Sequence, residues 1–203
     1  MQQTAYADYT GFQEFAECAD NPVMHAIVER RSTRGFEPMA LTQDQMETLT
    51  TAAIASPSAM NRQSWHFTFC SNSSAIKAVE AEVARLIMEG DDDAAKERMT
   101  ARHGKVFYNA PTVVFISSDE SSIWGAVDAG IAAENIVLAA QSMGLGSVIV
   151  GMCRIAFEGE NGKAFAHTLH FPEGYRFSLA IAVGTPNVTK EAHEVGEGKV
   201  TMM

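Results

Sequence analysis

The chain has 203 residues, 46% of them hydrophobic, which is enough for one sizeable core, and ordinary domain size favours a single unit (residues 1–203) over two. Fifteen Lys and Arg stand against 25 Asp and Glu, and the resulting net charge of -10 argues against nucleic acid or anionic lipid as a partner. The first 20 residues lack a basic start followed by an apolar run, no stretch reaches the roughly 18 apolar residues of a membrane span, and Cys18, Cys70 and Cys153 form no C-x-x-C pair; we therefore expect a soluble, cytoplasmic chain with small buried cysteines.

In chain order, Pro22 suits the first turn of a helix running toward Arg30, with Val23, Ala26 and Ile27 on one face. Thr42 and Gln45 have the spacing of a capping box for a second helix that ends before Pro57, with Met46, Leu49 and Ala53 turned inward. WHFTFC, 65–70, alternates as a strand does. Ser73 or Ser74 is expected to cap a helix burying Ile76, Val79, Val83 and Leu86 or Ile87, and GDDDAAKERM reads as a solvated turn and helix start. After Pro111, VVFI is a short apolar run typical of a strand buried on both faces. The longest helix is expected from Ser121 or Ser122 to about residue 143, apolar nearly all round and therefore central or at a subunit interface, with Gly144 as its left-handed cap. SVIVG and FSLAIAVG (177–184) add two strands. Helices interspersed with about four strands make an α+β or α/β domain.

Four segments stand out as carriers of chemistry: RRSTRGF (30–36), SPSAMNRQSWHF (56–67), GLGSVIVG (144–151) and the tail GEGKVTMM (196–203). Taken singly, each has an ordinary reading, as a surface ion-pair network or a polar loop. GLGSVIVG is not a dinucleotide fingerprint: Ile149 occupies the third glycine position, and the segment leads from a helix into a strand rather than the reverse. NGK at 161–163 lacks the first glycine and the Ser or Thr of a phosphate loop. His167 and His170 share a helical face but lack an obvious third ligand for a metal.

In combination and order, RRSTRGF, PSAMNRQSWHF and DAGIAAEN (128–135), followed by GLG, resemble the nitroreductase family of flavin enzymes. The resemblance runs from about Pro22 to Met203, leaving residues 1–21 as an N-terminal arm. It departs at Ser64, where the family usually has proline, and in the tail, where a basic pair is common and only Lys190 and Lys199 are present. The resemblance implies an α+β, three-layer α/β/α sandwich with a mostly antiparallel central sheet, an intertwined homodimer, and FMN at the interface with residues from both subunits.

It also implies roles for particular residues. Arg30 meets the FMN phosphate, with Lys199 or Lys190 as helper and with Arg31 and Ser32 in the same cradle; arginine suits a dianion through paired, charge-assisted hydrogen bonds. Arg34 lies where reduction builds negative charge, near flavin N1 and O2. Asn61 and Gln63 serve the pyrimidine edge, within a cofactor loop that includes Pro57, Ser58, Ala59 and Met60. The main chain of Val150 and Gly151 faces N5, and Trp124 is a candidate wall of the acceptor pocket. No side chain is needed as nucleophile or base, because the cofactor carries the reaction. The implied activity is hydride transfer from NADH or NADPH through N5 to a nitroaromatic or quinone by a ping-pong cycle. The same scaffold also allows dehalogenation, flavin fragmentation, ene or azoline oxidation, or a non-catalytic flavin carrier or sensor.

Overall fold

The computed structural model describes residues 21–192, 196 and 198–201; Cys18 and all but the last residue of the arm lie outside them. A four-stranded antiparallel sheet forms the middle layer: β1 (Trp65–Cys70), β2 (Thr112–Asp119), β3 (Gly146–Val150) and β4 (Tyr175–Gly184), in the order β1-β2-β4-β3. β2 lies inside the sheet, and its continuous apolar run serves both faces, as burial on both sides requires. Val113 and Phe115 enter one core, and Val114 and Ile116 enter the other.

α2 (Gln43–Ile54) and α5 (Gly125–Ser142) cover the second core. α3 (Ser73–Glu89), α4 (Asp93–Ala101), α6 (Arg154–Glu158) and α7 (Gly162–Thr168) lie over the first. The three-layer α/β/α arrangement expected from the resemblance is thus present. The Thr42 capping box also forms in full, with Leu49 and Ala53 buried. Gly144 has φ +71 and closes α5 with two backbone bonds, its own N–H to Gln141 and that of Leu145 to Ala140, the pairing of a Schellman cap.

Several boundaries differ from expectation for identifiable reasons. Asn72, not Ser73 or Ser74, caps α3, because its side-chain oxygen reaches two free N–H groups of the first turn, those of Ser74 and Ala75. Asn21 likewise caps α1 (Pro22–Glu29), ahead of Pro22. α5 begins at Gly125, later than Ser121 or Ser122, because Asp119 accepts bonds from the N–H and hydroxyl of Ser121 and diverts that segment into a turn. β4 starts two residues early, at Tyr175; α6 has no counterpart in the sequence reading, and α7 carries His167 but ends at Thr168, so that His170, at φ +56, does not share its helical face.

Two apolar faces are barer than their sequence implies. α1 buries none of its residues, and Val23 and Ile27 are exposed. α5 buries Ala129, Ala132, Ala133, Ile136, Val137 and Ala140 but exposes Trp124 (48%), Val127 (51%) and Ile131 (40%) on one helical stripe, so it is central on one side only. No helix among the described residues is long and apolar enough to cross a membrane.

Candidate functional site

The arginine segment begins where α1 ends. Arg30 is the C-cap, and Arg31 turns its guanidinium back to donate to the carbonyls of Val28 and Arg30, satisfying acceptors the helix end leaves open. Arg30 approaches Glu134 of α5 at 3.5 Å, too long for a charge-assisted hydrogen bond, and its Nε is buried with no hydrogen-bond partner. Next in the chain, Ser32 bridges Ser147 of β3, and Thr33 donates its N–H to the Ser147 carbonyl at 2.9 Å. This contact explains the second glycine of GLG, since a Cβ on Gly146 would lie 2.7 Å from the Thr33 side chain. Two sequence motifs, joined through Thr33 and Ser147, are thereby one structural joint.

Beyond the joint, Arg34 is exposed and donates to the Ser32 carbonyl at 3.2 Å. It borders a cavity of about 400 Å³ with Arg102, Lys105, Tyr108, Asn109 and Asn187. These partners belong to none of the four motif segments; their signal in the sequence is the pair of cations in R-H-G-K between a helix and a strand. Arg102 donates to the Tyr108 hydroxyl at 3.2 Å and lies 5.9 Å from that ring's centre, which fixes its direction. Lys105 is 3.6 Å from Glu80, whose Oε1 also accepts the N–H groups of Val106 and Phe107. Three cations and at most one neighbouring carboxylate give the cavity a positive field inside an acidic protein. A second cavity of similar volume, beside α3 and α6, is lined by Asp91, Asp92 and Glu158 with no cation, and would repel an anion.

The amide loop runs from Ser56 to Ser64 and is held by α5. Asp128, 2% exposed, accepts from the Ala59 N–H at 3.0 Å and from the Ser64 hydroxyl at 2.7 Å. Seven residues on, two helical turns along the same face, Asn135 donates to the Ser56 hydroxyl at 2.9 Å. These contacts account for the first and last residues of DAGIAAEN. Ser58 accepts from the Gln63 N–H, and Gln63 donates to the Asn61 side chain at 3.1 Å. Met60, Asn61 and Gln63 all have φ near +50, a left-handed cluster of side-chain-bearing residues that costs conformational energy. Pro57, Met60, Asn61 and Gln63 are exposed, while Ser58 and Ala59 are half-buried.

Val150 ends β3 in a buried position, and Gly151, exposed, follows where an added Cβ would meet only open space. Trp124 precedes α5 on its exposed stripe. Lys190 and Lys199 are exposed, and neither appears in an ion pair among the described residues. No described bond joins the arginine segment to the amide loop within one chain: Arg30 meets α5 at Glu134, about 100° around the helix from the Asp128–Asn135 face that holds the loop. The two segments flank one helix without sharing a described cavity.

Comparison with known proteins bears on this arrangement. The chain has 32% identity and a TM-score of 0.86 to a nitroreductase with bound FMN from Desulfitobacterium hafniense, covering 90% of this chain and 98% of that one. An FMN-bound nitroreductase from Bacteroides fragilis gives 25% identity and a TM-score of 0.81, over 90% and 99% of the two chains. The NADPH-flavin oxidoreductase of Vibrio harveyi is 25% identical over 84% of this chain and 68% of its own. The Nitroreductase family model matches residues 27–185, from the last turns of α1 to just past β4, and so takes in the arginine joint, the amide loop and the α5 clamp. The chain belongs to the nitroreductase family.

Proposed function

We propose that this protein is an FMN-dependent NAD(P)H oxidoreductase acting on nitroaromatic or quinone acceptors. The observation that carries this reading is the cationic cavity beside Arg34, in a chain of net charge -10. Its volume is within the range of small-molecule sites, and the buried, unbonded Nε of Arg30 is a donor awaiting an acceptor. The residues therefore fit an anionic, ring-bearing cofactor. When bound, FMN supplies the redox chemistry, taking hydride from NAD(P)H at N5 and passing electrons to the acceptor in a second half-reaction on the same face.

The chain's own groups bind and tune. Arg30, helped by Lys199 and by the Arg31–Ser32 backbone, holds the phosphate. Arg34, backed by the field of Arg102 and Lys105, favours negative charge at the N1 and O2 edge. Asn61 and Gln63 offer donors and acceptors to the pyrimidine edge, with Pro57, Ser58, Ala59 and Met60 shaping the loop beside the ring. The Val150–Gly151 main chain would offer its N–H groups to N5, and an added Cβ at Gly151 would meet no neighbouring atom.

Because the arginine segment and the amide loop lie on different faces of α5, the reading places one flavin between the former in one subunit and the latter in a second copy. The exposed apolar stripe of Trp124, Val127 and Ile131 supports such a homodimer. Trp124 then borders the acceptor. The test is a visible spectrum during titration: purified protein carrying FMN should bleach with NADH or NADPH and regain its colour with a nitroaromatic or quinone. Protein reconstituted with FMN that never oxidises NAD(P)H would overturn the enzymatic reading.

A further inference from the structure

The buried carboxylate of Asp128 has no part in the roles assigned above, and no ion pair among the described residues includes it. It nevertheless makes two bonds across more than 60 residues of sequence, to the Ala59 N–H and the Ser64 hydroxyl. Those bonds grip the amide loop on either side of its three left-handed residues. A loop of that shape relaxes unless its surroundings over-determine it. The inner bonds of the loop, Gln63 to Ser58 and Gln63 to Asn61, hold its curvature but do not tie it to the body of the protein. Those ties come from α5 and, at the Ser64 carbonyl, from the Asp119 N–H of β2 at 2.9 Å. Ser64 is buried and stands where the resemblance leads one to expect proline, a residue with no side-chain donor. In this chain a hydroxyl closes the clamp instead.

We propose that Asp128 and Ser64 form a positioning clamp that holds the Asn61 and Gln63 amides in the geometry the flavin reads. This rests on the FMN reading of the site. The carboxylate acts through the loop, not on the cofactor, so its charge is dispensable while its acceptor at Ala59 is not. Asp128→Asn keeps both bonds: the amide oxygen accepts from the Ala59 N–H, and the amide nitrogen donates to the Ser64 hydroxyl, which can accept as well as donate. Asp128→Ala leaves the buried Ser64 hydroxyl and the half-buried Ala59 N–H unpaired and frees that side of the loop.

The experiment measures FMN affinity and the visible circular dichroism of bound flavin in wild type, Asp128→Asn, Asp128→Ala and Ser64→Ala, each checked for folding by far-ultraviolet circular dichroism. Expected are affinity within about threefold of wild type for Asp128→Asn, a loss of tenfold or more with an altered flavin signal for Asp128→Ala, and a loss of about three- to tenfold for Ser64→Ala. Folded Asp128→Ala with wild-type affinity and an unchanged flavin signal would overturn the clamp. If Asp128→Ala does not fold, Ser64→Ala decides in the same way, and unchanged affinity and signal there sink it. Wild type that binds no FMN would instead refute the reading on which the clamp rests, and that arm is read independently of any variant.

Discussion

The two faces of the sheet are built to opposite rules. On the face covered by α3, α4, α6 and α7, the aromatic core closes on itself. Phe157 stacks on Phe177 at 4.5 Å and on Phe171 at 5.5 Å, with Phe115 and Phe165 at its edges. Glu82 is held by Arg85 through two hydrogen bonds and by Asn161 at 3.0 Å. On the α5 face, an apolar stripe is bare, and the Arg30 Nε is buried without a hydrogen-bond partner, 3.5 Å from Glu134. Apart from the cationic cavity at the end of α4, the first face spends its interactions on stability; the second leaves an apolar stripe open, and open interactions are where ligands and subunits can add free energy.

The largest effect that would break this contrast is on the open side. Arg30→Ala removes a desolvated phosphate partner and should weaken FMN binding by about 2–5 kcal/mol, measured by fluorescence titration of the apoprotein, with little change in apoprotein unfolding. Unchanged affinity would remove Arg30 from the site.

On the closed side the expectation inverts. Phe157→Ala should lower unfolding stability by about 3 kcal/mol through lost packing while folded molecules keep their FMN affinity. Denaturant unfolding alongside the flavin titration separates the two, and an affinity loss larger than the stability loss would erase the division between the faces.

Arg34→Ala sharpens the electrostatic half of the comparison. The flavin midpoint potential should fall by roughly 30 mV, equivalent to a tenfold change for a two-electron couple, as measured by dye-equilibrated titration. An unaltered potential would contradict its place beside N1 and O2.

The smallest effect tests Glu82. The Arg85 and Asn161 hydrogen bonds hold its carboxyl down at about 2, below the ordinary value of 4.5. A depressed folded-state value means that the carboxylate's contribution is fully present above the ordinary value and is lost as pH falls from about 4.5 toward about 2. Glu82→Gln should therefore flatten the decline of stability across that acid window, as followed by thermal unfolding at a series of pH values. An identical acid profile would show that the pair contributes nothing.

Much of the architecture was legible along the chain because its signals are local. The Thr42–Gln45 box, the left-handed stop at Gly144, the alternation in 65–70 and the apolar run of β2 depend on residues a few positions apart, and each appears as expected. Where local signals competed, the reading slipped by a residue or two: Asn72 outreached the serines beside it, and the Asp119 carboxylate held Ser121 out of α5. The motifs 30–36 and 56–67 were related only through the cofactor that the family likeness implies, and the hold of 128–135 on the 56–64 loop was not visible.

From the sequence alone came the strand and helix types, the acidic balance with its local arginine cluster, and the family likeness that names a cofactor. Folding in three dimensions decided that Thr33 docks on Gly146, that Arg102 and Lys105 join Arg34 around one cavity, and that α5 separates the arginine segment from the amide loop it grips through Asp128. The physical reason is distance along the chain. Capping and periodicity act over one or two turns, whereas a cavity or a buried acceptor is defined by groups tens of residues apart, whose meeting depends on how whole layers pack.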